Sequence, residues 1–172
     1  MNYFEFYELP VSFKPDLNLV KVKFYALSKK FHPDFYANES EEKQQEVLDL
    51  STLNNKAYQV LSNQKKTLQY VLALKGVVQA EESYQLPQSF LMDMMDVNEA
   101  LMDLEFEPDA EKLQKVIADV NLIENELDAE LAKLTTEFDE QSAESENSLK
   151  DIKDIFYRQK YIARIREKLP KS

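Results

Sequence analysis

Apolar residues recur at helical spacing along most of this chain. Leu17, Val20, Phe24, Leu27 and Phe31 fall at i, i+3, i+7, i+10 and i+14, one stripe of a helix that Pro15-Asp16 opens. Pro33 ends that helix at His32, because proline pushes its predecessor out of the α region and has no N–H to donate into the ladder. A loop from His32 to Ser40 follows. Ser40 reads as an N-cap with Glu41 and Glu42 on the positive end of the next helix dipole, and Val47, Leu50, Asn54, Ala57 and Leu61 carry the second stripe. The two helices predict an antiparallel hairpin. Before it, Tyr3 to Leu9, closed by Pro10, predicts a brief helix laid on the hairpin. After it, Lys65 to Lys75 carries Leu68, Val71, Leu72 and Leu74, with Gly76 placed as a left-handed C-terminal cap.

From Val77 to Pro87 the periodicity lapses, which predicts a linker. Beyond it Phe90, Met94, Val97, Leu101 and Leu104 form a stripe ended near Pro108. Leu113, Val116, Val120, Ile123, Leu127, Leu131, Leu134 and Phe138 then run in near-heptad steps through one long helix. A last helix, Ser148 to Leu169, carries Leu149, Ile152, Ile155, Phe156, Ile162, Ile165 and Leu169. Three helices with short connections predict a bundle. The expected organisation is all-α: a first domain at 1–76, a linker at 77–87 and a three-helix bundle at 88–172.

Composition narrows the chemistry. The single glycine, Gly76, leaves no phosphate-cradling or dinucleotide-binding loop, both of which need several glycines at fixed spacing. With no cysteine there are no disulfides, zinc ribbons or thiolate-held clusters, and a cytoplasmic location is expected. The longest apolar run, Tyr70 to Leu74, is far short of the roughly 20 residues that span a bilayer, so no membrane partner is expected. A net charge of -11 disfavours nucleic acid. The charge is unevenly spread: residues 1–75 hold ten Lys or Arg against nine Asp or Glu, and the rest hold eleven against twenty-three. With one histidine in the chain, a His-based metal site or a catalytic triad has almost nothing to work with, so no metal, cofactor or catalytic residue is expected. A carboxylate pair remains the one enzymatic alternative, since 32 acidic residues supply pairs by chance.

That histidine lies in His32-Pro33-Asp34. By itself the tripeptide could be a plain helix stop. Its setting is more specific: a short aromatic helix, a basic amphipathic helix, the tripeptide, a charged loop and a second amphipathic helix, in that order over about the first 75 residues. This arrangement resembles the J-domain of DnaJ-type co-chaperones. The resemblance implies that His32, Pro33 and Asp34 dock on the ATPase domain of a DnaK-type chaperone and trigger its ATP hydrolysis. The J-protein itself performs no chemistry. The preceding segment, Lys14 to Lys30, carries five lysines against one acid, and Lys21, Lys23, Lys29 and Lys30 are expected to steer an acidic partner surface, although they also serve as the solvated face of the helix. Many J-domains place a basic residue directly after the tripeptide, whereas here it is Phe35.

On a helical wheel Leu91, Met92, Met95 and Met102 fall opposite the Phe90-Met94-Val97-Leu101-Leu104 stripe, interleaved with Asp96 and Glu99. A helix apolar on both sides is either sandwiched in a core or binds something, and methionine suits adaptable binding surfaces. A J-domain, a short linker and an acidic three-helix bundle opened by Phe90-Leu91-Met92 together resemble the HscB family of iron–sulfur cluster co-chaperones, over nearly the whole chain. That resemblance implies that the bundle, the family's oligomerisation and scaffold-binding domain, binds the cluster scaffold IscU and that the J-domain brings it to the chaperone HscA. It maps scaffold binding onto Leu91, Met92, Met95, Asp96 and Glu99, with Phe156 as an aromatic from the last helix that fits the bundle core equally well. A J-protein serving a different client through the same face remains the alternative. With no cysteine for the metal module that some eukaryotic members add, the chain resembles the bacterial form, and a monomer is expected.

Overall fold

In the computed structural model, which describes residues 1–170, the fold is all-α. Its elements are α1 (Tyr3–Phe6), α2 (Leu17–Lys30), α3 (Glu41–Leu61), α4 (Gln64–Leu74), α5 (Gln88–Phe106), α6 (Ala110–Glu137) and α7 (Ser145–Lys168), with a 3-10 turn at Pro33–Tyr36. The chain divides after Gly76 into two compact units.

In the first unit α2 and α3 form the hairpin. Asp16 caps α2 by accepting from the backbone N–H of Asn18 and Leu19, and Ser40 caps α3 by accepting from Lys43 N–H. These caps satisfy donors that a helix start leaves orphaned. The α2 stripe is buried less evenly than its spacing suggests. Val20 is sealed, while Phe24, Leu27 and Phe31 are half-buried. Leu17 is exposed at the helix start, where it lines a shallow surface cavity with Phe13, Pro15 and Leu61. The helix ends at Lys30, with Phe31 as its cap. Gly76 takes φ +71° directly after the Lys75 cap, the left-handed conformation that ends α4.

Asn54 ties this unit together. Its Nδ2 donates to the Phe24 carbonyl at 3.1 Å and to Ser28 Oγ at 3.0 Å, and its Oδ1 accepts the Tyr7 hydroxyl at 2.8 Å. One buried amide thereby joins α2, α3 and the segment following α1. Tyr7 is sealed from solvent, and burial pushes its phenol well above its ordinary value. A buried amide is tolerated only when partnered, and here both ends are.

In the second unit α5, α6 and α7 form the bundle around Phe90, Met94, Val97, Leu101, Leu104, Val116, Val120, Leu127, Ile155, Ile162 and Ile165. Arg166 clamps Glu124 through two guanidinium nitrogens, at 2.8 and 3.2 Å, and reaches Asn121 Oδ1 as well, fixing α7 against α6. The stretch 77–87, expected as a linker, lies with this unit. Glu82 accepts from the Tyr157 hydroxyl and from Lys153 Nζ, Tyr84 stacks on Tyr157 at 4.4 Å, and the Tyr84 hydroxyl donates to Asp154. Burial, then the neighbouring carboxylates, push both phenols up to about 12. These contacts come from side chains 70 to 75 positions apart in sequence, which a local reading of periodicity does not register.

Replacing Asn54 by Ala leaves the Tyr7 hydroxyl with only the backbone carbonyl of residue 54, at 3.1 Å, as acceptor and removes two bonds to α2. A loss of about 2 to 3 kcal/mol in the first unit is expected, seen as an earlier urea transition, with Tyr7→Phe costing less. Unchanged urea unfolding of Asn54→Ala would show that the amide does not hold the hairpin.

Candidate functional site

Two exposed constellations stand out, one in each unit. In the first, His32 adopts φ -70° and ψ 125°, the extended geometry required before proline, and Pro33 occupies the first position of the 3-10 turn. The Asp34 backbone N–H donates to His32 Nδ1 at 3.2 Å. With Nδ1 accepting, the imidazole proton sits on Nε2, which is left for an outside acceptor. The Asp34 carboxylate is exposed, with its nearer oxygen 3.7 Å from Nδ1. The loop is pinned at both ends: the Tyr36 hydroxyl donates to the Lys30 carbonyl, and Gln44 Nε2 donates to the carbonyls of Ala37 and Glu39. Phe35 stands largely exposed and edge-on to the imidazole at 5.8 Å. The three residues therefore present a ring donor and a carboxylate on a turn that has already given up its freedom.

The four lysines of α2 do not share one face. Lys21 and Lys29 flank exposed Val22 and Tyr25 on the side away from the hairpin core. Lys23 turns toward Glu8 at 3.7 Å, and the Lys30 ammonium lies 5.3 Å from the centre of the Phe31 ring. Lys21 and Lys29 are thus the pair most available to an approaching acidic surface, with Lys23 and Lys30 at its edge.

In the second unit the α5 stripe buries fully, and the opposite side stays open. Leu91 is 39% exposed, Met92 64% and Met95 57%, and Asp96 and Glu99 are exposed among them. The structure brings these five together on one face of one helix. Phe156 does not join them. It is only 6% exposed on α7, with Tyr157 edge-on to its ring and the Lys160 ammonium 5.1 Å from the ring centre. The scaffold-binding expectation for Phe156 does not fit this burial and is corrected to a packing role, since Phe156 is covered by the protein itself, as Ile152, Ile155 and Ile162 on the same helix are. Sequence reading missed Phe106, the last residue of α5, which is 86% exposed. Its phase on the wheel, fifteen residues after Leu91, was the available signal.

The model of the HSCB C-terminal oligomerisation domain matches residues 86–170. The co-chaperone protein HscB homolog of Vibrio cholerae is 37% identical over 102 residues, 59% of this chain and 60% of that protein. The corresponding homolog of Colwellia psychrerythraea is 34% identical over 112 residues, 64% of each chain. The co-chaperone protein HscB of Proteus mirabilis is 31% identical over 114 residues, 66% of each. The solved chaperone HscB from Vibrio cholerae superposes with a TM-score of 0.60 at 27% identity, covering 99% of this chain and all of that one. This chain belongs to the HscB co-chaperone family. Human HscB shares the fold, with a TM-score of 0.73 at 23% identity over 98% of this chain and 80% of its own. The matched stretch spans 60% of the length of the Vibrio cholerae relative.

Among the described residues no group of three or more His, Asp or Glu side chains is arranged to hold a metal ion, and no helix is long and apolar enough to cross a membrane. A cavity of about 250 Å³ in the second unit is lined by Tyr84, Tyr157, Lys160, Tyr161 and Arg164, and its one carboxylate, Glu82, is committed to Tyr157 and Lys153.

The different roles of the two groups of apolar side chains have measurable consequences. Phe156→Ala should lower stability by about 3 to 5 kcal/mol, the usual cost of emptying a buried aromatic site. Met92→Ala should stay within about 0.5 kcal/mol of the parent, as exposed positions do. Equal thermal melting of the two variants would contradict the placement of Phe156.

Proposed function

We propose that this protein is a co-chaperone of iron–sulfur cluster assembly that carries a scaffold on its bundle and presents it to a DnaK-type ATPase. The scaffold is IscU, held on the outward face of α5, and the ATPase is HscA, engaged by the His32-Pro33-Asp34 turn. The protein catalyses nothing itself. The observation that carries this reading is the exposure of Leu91, Met92, Met95, Asp96 and Glu99 on one side of a helix whose other side is already filled by the core. Exposed apolar side chains on that scale have a cost in water unless a partner covers them.

The turn suits the role of a trigger. Pro33 removes backbone freedom before docking, so less entropy is lost on contact. The free Asp34 carboxylate can accept a bidentate arginine, and the outward Nε2–H of His32 can donate to a partner carbonyl or carboxylate. Lys21 and Lys29 add charge attraction toward an acidic surface, which acts mainly on the rate of encounter. Release of the scaffold is then governed by the nucleotide state of the ATPase, and the co-chaperone only couples the two.

The two functions should separate by mutation. His32→Gln should abolish stimulation of HscA ATP hydrolysis while leaving IscU binding, measured by isothermal titration, within about twofold. Met92→Ala with Met95→Ala should weaken IscU binding by tenfold or more, the scale of a disrupted interface centre, while stimulation by the free co-chaperone persists. Normal stimulation by His32→Gln would overturn the trigger assignment. Normal stimulation by a parent protein that does not bind IscU would identify a different client.

A further inference from the structure

The exposed face of α5 does not stop where the five assigned residues stop. At 100° per residue Leu91, Met95, Glu99, Met102 and Phe106 all fall within one quadrant of the helix, at successive steps of four, four, three and four. Met102 is 59% exposed and Phe106 86%, so both stand free on the far half of the same ridge. From Leu91 to Phe106 the ridge is about 22 Å long at 1.5 Å per residue. Neither Met102 nor Phe106 contributes to the bundle core, whose α5 members are Phe90, Met94, Val97, Leu101 and Leu104.

Charge distinguishes the possible occupants. The ridge is edged by Asp96, Glu99 and Asp103, and α5 contains no basic residue. Of the three, Asp103 is paired with a cation, Lys112 of α6, at 2.8 Å, and among the described residues Asp96 and Glu99 have no such ion pair. A second copy laid symmetrically on this face would set these acids against one another. A partner with an apolar groove rimmed by lysine or arginine would instead pair with them.

We infer that the client docks along the whole length of α5, with Met102 and Phe106 as additional contact residues and a basic-rimmed apolar groove of roughly two turns more than Leu91 to Glu99 would need. This rests on the reading of α5 as the scaffold-binding face. Phe106 fills the distal end of the groove, where the Asp103–Lys112 pair has already neutralised one acid. Exposed Glu105 and Glu107 flank Phe106, so contact is salt-sensitive along the whole ridge.

The test is isothermal titration of the intact chain with IscU, comparing Met102→Ser, Phe106→Ser and the double variant, with circular dichroism melting to verify folding. Exposed positions should leave the melt unchanged. About a fivefold to tenfold weakening is expected for Phe106→Ser and a larger one for the pair, as for truncation at a contact ridge. If the double variant binds like the parent while Met92→Ala with Met95→Ala loses binding, the ridge ends at Glu99 and this inference fails alone. If the parent does not bind IscU at all, both this inference and the client assignment fail. A parent dimer that the double variant converts to monomer in sedimentation would assign the ridge to a second copy and overturn the inference.

Discussion

A helix in a three-helix bundle can bury one stripe, and in α5 that stripe is complete with Phe90, Met94, Val97, Leu101 and Leu104. The further large apolar residues of the helix face outward, while the small Ala100 packs at the edge of the core. Leu91, Met92, Met95, Met102 and Phe106 are in that position. The exposed face is thus a consequence of core packing, and the bundle is the support on which that face is displayed. Arg166 on Glu124 and Asn121, with the Tyr161 hydroxyl accepting from Asn98, keeps α6 and α7 fixed behind it. A ridge of flexible thioethers on a stiff helix can adapt its side chains without moving its backbone.

The first unit solves a different problem. Two helices joined by a ten-residue connection would ordinarily leave the connection mobile, yet residues 31–40 are held by side-chain bonds at both ends and by proline near the start. Asn54 holds the helices that carry it. The polar groups of the turn are few, and the His32 ring and the Asp34 carboxylate stay exposed. The His32-Pro33-Asp34 turn and the exposed face of α5 therefore reside in separate compact units, each with its own core.

Much of this was legible from periodicity. The stripes of α5, α6 and α7 named the bundle core almost residue for residue, and Gly76, Asp16 and Ser40 marked helix ends through chemistry that is local in sequence. What periodicity obscured was set by distant partners. Phe156 sits on the same sequence pattern as a surface aromatic could, and spacing alone does not reveal that the folded chain covers it. Leu17 fits the α2 stripe but lies beyond the end of the surface it would pack on. The stretch 77–87 reads as a linker because its anchors, Tyr157, Lys153 and Asp154, are on the last helix. Phe106 was overlooked because it falls at a helix terminus, where stripes are usually taken to have ended.

The central claim is that cargo is bound by the outward face of α5 and not by the turn that carries His32. Methyl and imidazole resonances of the intact protein, followed by nuclear magnetic resonance during titration with IscU, test it most directly. The account predicts shifts or broadening at the methyls of Leu91, Met92 and Met95 with the His32 imidazole unmoved. Perturbation centred on His32, Lys21 and Lys29 with the α5 methyls silent would contradict it.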